Sequence, residues 1–161
     1  MAEKIKIAIA SDLSGLPLKQ AIAAHLKERA DTELIDFGIN DPEHPQPYTI
    51  QAPKVATAVQ SKDADRGILI CGTGQGMAIV ANKHKGVYAC VADGIFSGER
   101  GKIINDANVI TLGGWITAPF LGVQIVDAWL SVKFAEKMEF KKDFLMENFN
   151  RVKAIEDEQF K

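Results

Sequence analysis

The chain is poor in the residues that hold metals or crosslinks, with two cysteines and three histidines among 161 residues. Cys71 and Cys90 lack both the close spacing of a metal knuckle and the density of a secreted disulfide scaffold, so a reducing cytoplasm is expected. His25, His44 and His84 are scattered without ligand spacing, and no metal site is expected. Charge of one sign is missing too. The net charge is -2 with no block of like residues, which argues against a nucleic-acid partner. Long hydrophobic runs are lacking: Pro119, Gln124, Asp127 and several glycines interrupt the most apolar region, Val109 to Leu130. Lys4 to Ala10 is too short and too regularly interrupted for a signal peptide. Neither a membrane span nor a leader is expected, and no internal repeat or low-complexity segment occurs.

What is present suits one globular domain over residues 1–161, since 47% hydrophobic and 25% charged residues supply a full core under a solvated surface. Five β-rich runs, Ile5 to Ala10, Glu33 to Phe37, Gly67 to Cys71, Tyr88 to Ala92 and Val109 to Leu112, alternate with helical patterns. That alternation predicts a parallel sheet with right-handed crossovers. Pro17 starts a helix with Leu18, Ala21, Ile22 and Leu26 on one side, and Gln51 to Gln60 offers Val55, Ala58 and Val59. The three prolines of Gly38 to Pro47 read as a surface loop, whose end places Tyr48 either over a site or half-buried in packing. Phe140, Phe144, Leu145, Phe149, Val152 and Ile155 mark one face of a terminal helix over about 138–160. It packs either on a partner subunit or back on its own sheet.

Chemistry concentrates in Gly67-Ile-Leu-Ile-Cys71-Gly-Thr-Gly-Gln-Gly76-Met-Ala, where an apolar strand runs into a cysteine and three alternate glycines. Ile68 to Ile70 read as a strand buried on both faces and Met77 to Ala81 as a helix, so the loop lies at a strand C-terminus, where open α/β sheets bind ligands. Gly72, Gly74 and Gly76 permit positive φ and close backbone approach, and the helix start offers unpaired N–H groups to an anion. That anion is a phosphate, or an enediolate formed when a base removes a proton beside a carbonyl. A thiol at the mouth favours the second, because helix N-termini favour the reactive thiolate. As residues alone, Cys71 reads equally as a small buried hydrophobe.

Six segments in order, Ile7-Ala-Ile-Ala-Ser-Asp12, Ile68 to Gly76, Ala81-Asn-Lys83, Asn105-Asp-Ala-Asn-Val109, Leu112-Gly-Gly114 and Val126-Asp-Ala-Trp-Leu130, resemble the ribose-5-phosphate isomerase B family, which includes the subunits of galactose-6-phosphate isomerase. The resemblance covers roughly residues 4–132. It implies a three-layer Rossmann-like (flavodoxin-like) α/β fold with a five-stranded parallel sheet, and a homodimer or homotetramer whose sites are shared at the subunit interface. It implies no cofactor and no metal, and a small sugar or sugar phosphate as substrate. Carried over by position, Cys71 shuttles a proton between C1 and C2, and Thr73 hydrogen-bonds the thiol or the transferred proton. Gly72, Gly74, Gly76, Met77 and Ala78 supply amides to the enediolate, while Asp12, Tyr48 and Asn105 contact sugar hydroxyls. Arg151 is the counterpart of one of two phosphate-binding arginines.

Departures from the pattern narrow the substrate. The family's phosphate-binding histidine after the first-strand aspartate is Leu13 here, and its ring-opening histidine is Ile104. Pro47 replaces an aspartate and Trp115 an arginine. Three readings fit. The substrate is a four-carbon sugar phosphate that cannot close a furanose; or it is a non-phosphorylated or acidic sugar against an apolar wall of Leu13 and Trp115; or a paralogous subunit supplies the missing groups. A sugar- or phosphate-binding module without catalysis is the non-enzyme alternative.

Overall fold

The computed structural model describes residues 4–160. Five strands, β1 (Ile5–Ser11), β2 (Thr32–Asp36), β3 (Arg66–Cys71), β4 (Ala89–Val91) and β5 (Val109–Gly113), form one sheet in the order β2-β1-β3-β5-β4. Every neighbouring pair is parallel. Four crossover helices, α1 (Leu16–Glu28), α2 (Tyr48–Gln60), α3 (Gln75–Ala81) and α4 (Ile95–Asn105), link the strands, and α5 (Pro119–Leu130) and α6 (Lys142–Gln159) follow. The result is the three-layer Rossmann-like α/β fold that the sequence predicts. Relative to the flavodoxin order 2-1-3-4-5, the last two strands are exchanged.

Period-two alternation sorts the core into two layers. Ile7, Ile9, Ile68, Ile70, Ile110 and Leu112 meet Leu18 and Ile22 of α1 and Trp129 of α5. The opposite face turns Ala8, Ala10, Leu69 and Cys71 toward Val55 and Val59 of α2 and Met77 of α3. Cys71 therefore points into the α2–α3 layer. The first crossover runs outward from β1 to β2 and the second returns past β1 to β3, so the loops after β1 and β3 diverge at a topological switch point. Asp12 and the Cys71 loop lie there together.

α2 begins at Tyr48, three residues earlier than the apolar pattern indicated, because the extended backbone of Pro47 leads directly into it. A 3₁₀ turn over Glu139–Lys141 precedes α6. The terminal segment divides its apolar face: Leu145 and Phe149 of α6 are buried, while Phe144, Val152 and Ile155 of α6 and Phe140 of the turn stay exposed. Phe149 meets Tyr88 edge-on with ring centroids 5.1 Å apart and Phe134 at 5.8 Å. Glu156 latches the helix by accepting from the Gly86 N–H at 2.6 Å and the Tyr88 hydroxyl at 2.9 Å. Burial, reinforced by this carboxylate, pushes the Tyr88 phenol well above its ordinary value. No helix among the described residues is long and apolar enough to cross a membrane.

Candidate active site

Register sets the site. Ser11 pairs with Ile70, and the Asp12 N–H donates to the Ile70 carbonyl at 3.1 Å, so the ends of β1 and β3 bring Asp12 beside Cys71. The Cys71 side chain is buried, and its Sγ accepts a hydrogen bond from the Gly74 N–H at 3.2 Å. Gly74 makes that possible, because the loop turns through φ +79° there before α3 begins. The first helical bond runs from Ala78 N to Gly74 O, leaving the Gly76 and Met77 amides ahead of it for an anion.

Only Gly74 of the three loop glycines has positive φ, which corrects the expectation for the other two. Gly72 and Gly76 are small because aromatic rings press on them, not because their backbone is twisted. A Cβ on Gly72 would lie 2.7 Å from the Trp115 ring, and one on Gly76 would lie 2.8 Å from the Tyr48 ring. The loop is thus clamped between two aromatic side chains, Tyr48 being 39% and Trp115 75% exposed. Tyr48 does lean over the loop, though its exposed ring meets the loop backbone rather than a packed core.

The loop after β5 braces this arrangement. Gly114 N donates to the Cys71 carbonyl at 2.7 Å and Trp115 N to the Gly72 carbonyl at 3.0 Å. Asp12 caps the start of α1 by accepting from Gly15 N at 3.1 Å, yet burial pushes its carboxyl above the usual carboxylate range. A cavity of about 340 Å³ opens beside it, lined by Asp12, Leu13, Ser14, Pro45, Gln46 and Pro47. Thr73 is exposed, its hydroxyl 3.4 Å from the Gln75 N–H it accepts from. The Met77 and Ala78 side chains are buried in the core, so these residues offer only backbone.

Two residues carried over by resemblance lie elsewhere in the protomer. α4 runs antiparallel to the strands and ends at Asn105, just before Val109, whereas Cys71 is in register with Gly113 at the other end of β5. Four residues of strand, about 13 Å, separate the two levels. Asn105 instead borders a groove of about 430 Å³ under α6 with Ile104, Cys90, Tyr88, Phe144 and Phe149. Cys90 is half-buried there, and burial pushes its thiol up. Arg151 is exposed on α6 and paired with Glu147. The chain therefore brings together Asp12, Tyr48, Cys71, Gly72, Thr73, Gly74 and Gly76, but not Asn105 or Arg151.

One support escaped the sequence reading. Buried Lys19 donates from Nζ to both Asp36 carboxylate oxygens at 2.8 and 2.9 Å and to Asn40 at 2.6 Å, fixing the start of the loop that delivers Pro45 to Tyr48. Its signal was spacing: Lys19 shares a helical face with Ile22 and Leu26.

Solved structures define the class. The fold superimposes on a ribose-5-phosphate isomerase B from Clostridium thermocellum with TM-score 0.88 and 37% identity, covering 96% of this chain and 99% of that one. This is an α/β enzyme of the aldose–ketose isomerase class. A family model described as Ribose/Galactose Isomerase matches residues 7–144, and the chain belongs to that family. Among curated relatives, a 4-deoxy-4-sulfo-D-erythrose isomerase from Clostridium sp. (strain MSTE9) is 44% identical across 95% of this chain and 96% of its own length. A ribose-5-P isomerase B from Listeria innocua is 42% identical across 91% and 98%. A D-erythrulose-4-phosphate isomerase from Pectobacterium atrosepticum is 37% identical across 81% and 85%.

Proposed function

We propose that this enzyme interconverts a four-carbon aldose and its 2-ketose, each carrying an anionic group on C4, through a cis-enediolate with Cys71 as the base. The observation that carries the reading is the thiol of Cys71 at the switch-point edge, with the Gly74 N–H aimed at its sulfur and free loop amides beyond it. In the aldose-to-ketose direction the thiolate takes the C2 proton. The C–H electron pair forms the C1–C2 double bond, and the carbonyl pair moves onto O1. Amides of the loop stabilise that oxygen, where preorganised donors act most strongly. The O2 proton then passes to O1, a transfer within reach of the exposed Thr73 hydroxyl, and the thiol returns its proton to C1 as the C2 carbonyl forms.

Ile104 supports the four-carbon length. An apolar side chain at the position of the family's ring-opening histidine is harmless when the substrate has no ring to open. A tetrose with sulfonate or phosphate on C4 lacks the hydroxyl needed to close a furanose. The nature of the anion follows from charge. No Lys or Arg occurs among residues 12–15, 45–48, 72–76 or 113–118, which border the site. A phosphate ester carries about -1.5 to -2 at neutral pH, whereas a sulfonate is a monoanion that a single guanidinium suffices to neutralise. A C4 sulfonate is the preferred group, as in the substrate named for the Clostridium relative.

Asn105 and Arg151 complete the site from a second copy of the chain. Their place at the opposite end of the sheet supports this, as do exposed Phe144, Val152 and Ile155 of α6 and Phe140 of the turn before it. The test is turnover, followed by NMR, of 4-deoxy-4-sulfo-D-erythrose, D-erythrose 4-phosphate and ribose 5-phosphate. The reading predicts kcat/KM highest for the sulfonate, and preference for ribose 5-phosphate would overturn it.

A further inference from the structure

The Trp115 side chain stands on the loop that reads the substrate and engages nothing else that would require an indole. Two backbone bonds hold its stretch of chain to the loop, Gly114 N to Cys71 O at 2.7 Å and Trp115 N to Gly72 O at 3.0 Å. On the other side Gly114 abuts the loop after β1 so tightly that a Cβ there would lie 2.3 Å from the Ser14 carbonyl oxygen. Residue 115 is therefore pinned between the β1 and β3 loops. Its ring covers Gly72, one residue from the thiol, and would meet any Cβ added there at 2.7 to 2.8 Å. The ring is 75% exposed, so its outer face is open to a ligand at the same sheet edge as exposed Leu13.

We infer that Trp115 is the residue that limits substrate length, its indole walling the Gly72 side of the loop so that a carbon chain laid out from Cys71 ends at C4. The inference rests on the tetrose reading of the site. With C1 and C2 over Cys71, the following carbons pass Gly72, and an added hydroxymethylene unit meets the ring. Contact with the indole face also suits the C–H groups of a short open chain and disfavours the strongly hydrated dianion of a phosphate ester.

Two substitutions and one optical measurement test it. Trp115→Ala removes the wall, and Trp115→Phe keeps a smaller ring against Gly72. Wild type, Trp115→Ala and Trp115→Phe are assayed on 4-deoxy-4-sulfo-D-erythrose, D-erythrose 4-phosphate and ribose 5-phosphate. The ratio of kcat/KM for the pentose phosphate over the sulfotetrose rises roughly tenfold to a hundredfold in Trp115→Ala, the range that one carbon unit commands in a pocket, and less in Trp115→Phe. The optical readout uses the fact that the only other tryptophan, Trp129, is fully buried, so acrylamide quenching reports on Trp115. Saturating sulfotetrose lowers the quenching slope of the wild type at least twofold and leaves that of Trp115→Phe unchanged.

An unchanged ratio in both variants overturns the inference while leaving the tetrose reading intact, as does quenching that ignores the substrate or is absent in the free enzyme. No turnover of either tetrose by the wild type overturns the tetrose reading and this inference together.

Discussion

Replacing Gly113 with alanine probes the brace behind the Cys71 loop. A Cβ at this position lies 2.8 Å from the Gly72 carbonyl oxygen, 2.8 Å from Thr73 Cα and 2.9 Å from Thr73 C. All three atoms are backbone, so no side chain can rotate aside. Carbon atoms rest about 3.5 Å or more apart, and the loop must retreat by roughly half an ångström or more. Overpacking of this kind costs about 1–3 kcal/mol, which lowers the Tm by about 2–12 °C for a chain of this length. Catalysis is hurt more. The displaced atoms lead into the Gly74 amide that donates to the Cys71 sulfur and into the loop amides proposed to face the enediolate, and a misplacement approaching 1 Å costs on the order of a hundredfold in rate. The assay pairs differential scanning calorimetry with kcat/KM on the sulfotetrose. Gly94→Ala is the control, because a Cβ there approaches only Ser97 Oγ, at 4.0 Å. Gly113→Ala with wild-type kcat/KM would refute the claim that this loop must be held in place.

Further consequences follow from the same geometry. Asp12→Asn keeps an oxygen for the Gly15 N–H and removes a carboxyl whose pKa burial raises. A raised folded-state pKa means stability is present below the unfolded value and lost as pH rises through the folded one, so the variant melts higher than wild type at pH 7. That gain fades as pH falls below about 4, and a gain that instead grows in acid would contradict the assignment. Lys19→Met leaves the Asp36 carboxylate without its cation and lowers stability by about 3 kcal/mol, or roughly 6–12 °C in Tm. A loss within 1 °C would show that the anchor is idle. Co-expressed Cys71→Ala and Asn105→Ala chains recover about a quarter of wild-type activity through mixed dimers with one intact site of two, whereas each alone has almost none. Absence of recovery would place Asn105 outside the site that contains Cys71.

Most of the scaffold was legible because buried parallel strands write themselves as unbroken aliphatic runs. Gly67 to Cys71 and Val109 to Leu112 are such runs, and each matches its strand within a residue. The short edge strand was drawn too long, since Tyr88 and Ala92 extend past its three paired residues, Ala89 to Val91. Within the candidate site, the strand-cysteine-glycine order sufficed to place Cys71 at the C-terminal edge of the sheet. The reasons for the individual glycines were hidden. Gly72 and Gly76 answer to Trp115 and Tyr48, which lie far along the chain, and no local pattern encodes that pressure. The position of Asn105 within the protomer was hidden for a related reason. Residue types mark what a side chain can do, but only the return direction of α4 reveals that it sits at the far end of the sheet. Lys19 was readable in principle, as a cation on an apolar stripe is paired when it is buried.

Solvent-deuterium incorporation into 4-deoxy-4-sulfo-D-erythrose and its ketose tests the proton shuttle most directly, with Cys71→Ala as the paired protein and acrylamide quenching of Trp115 as the binding check. The proposed mechanism predicts deuterium at C1 of the ketose and C2 of the aldose with the wild type, and none above background with Cys71→Ala even where the substrate still protects Trp115. Deuterium entering at the wild-type rate in Cys71→Ala would contradict it.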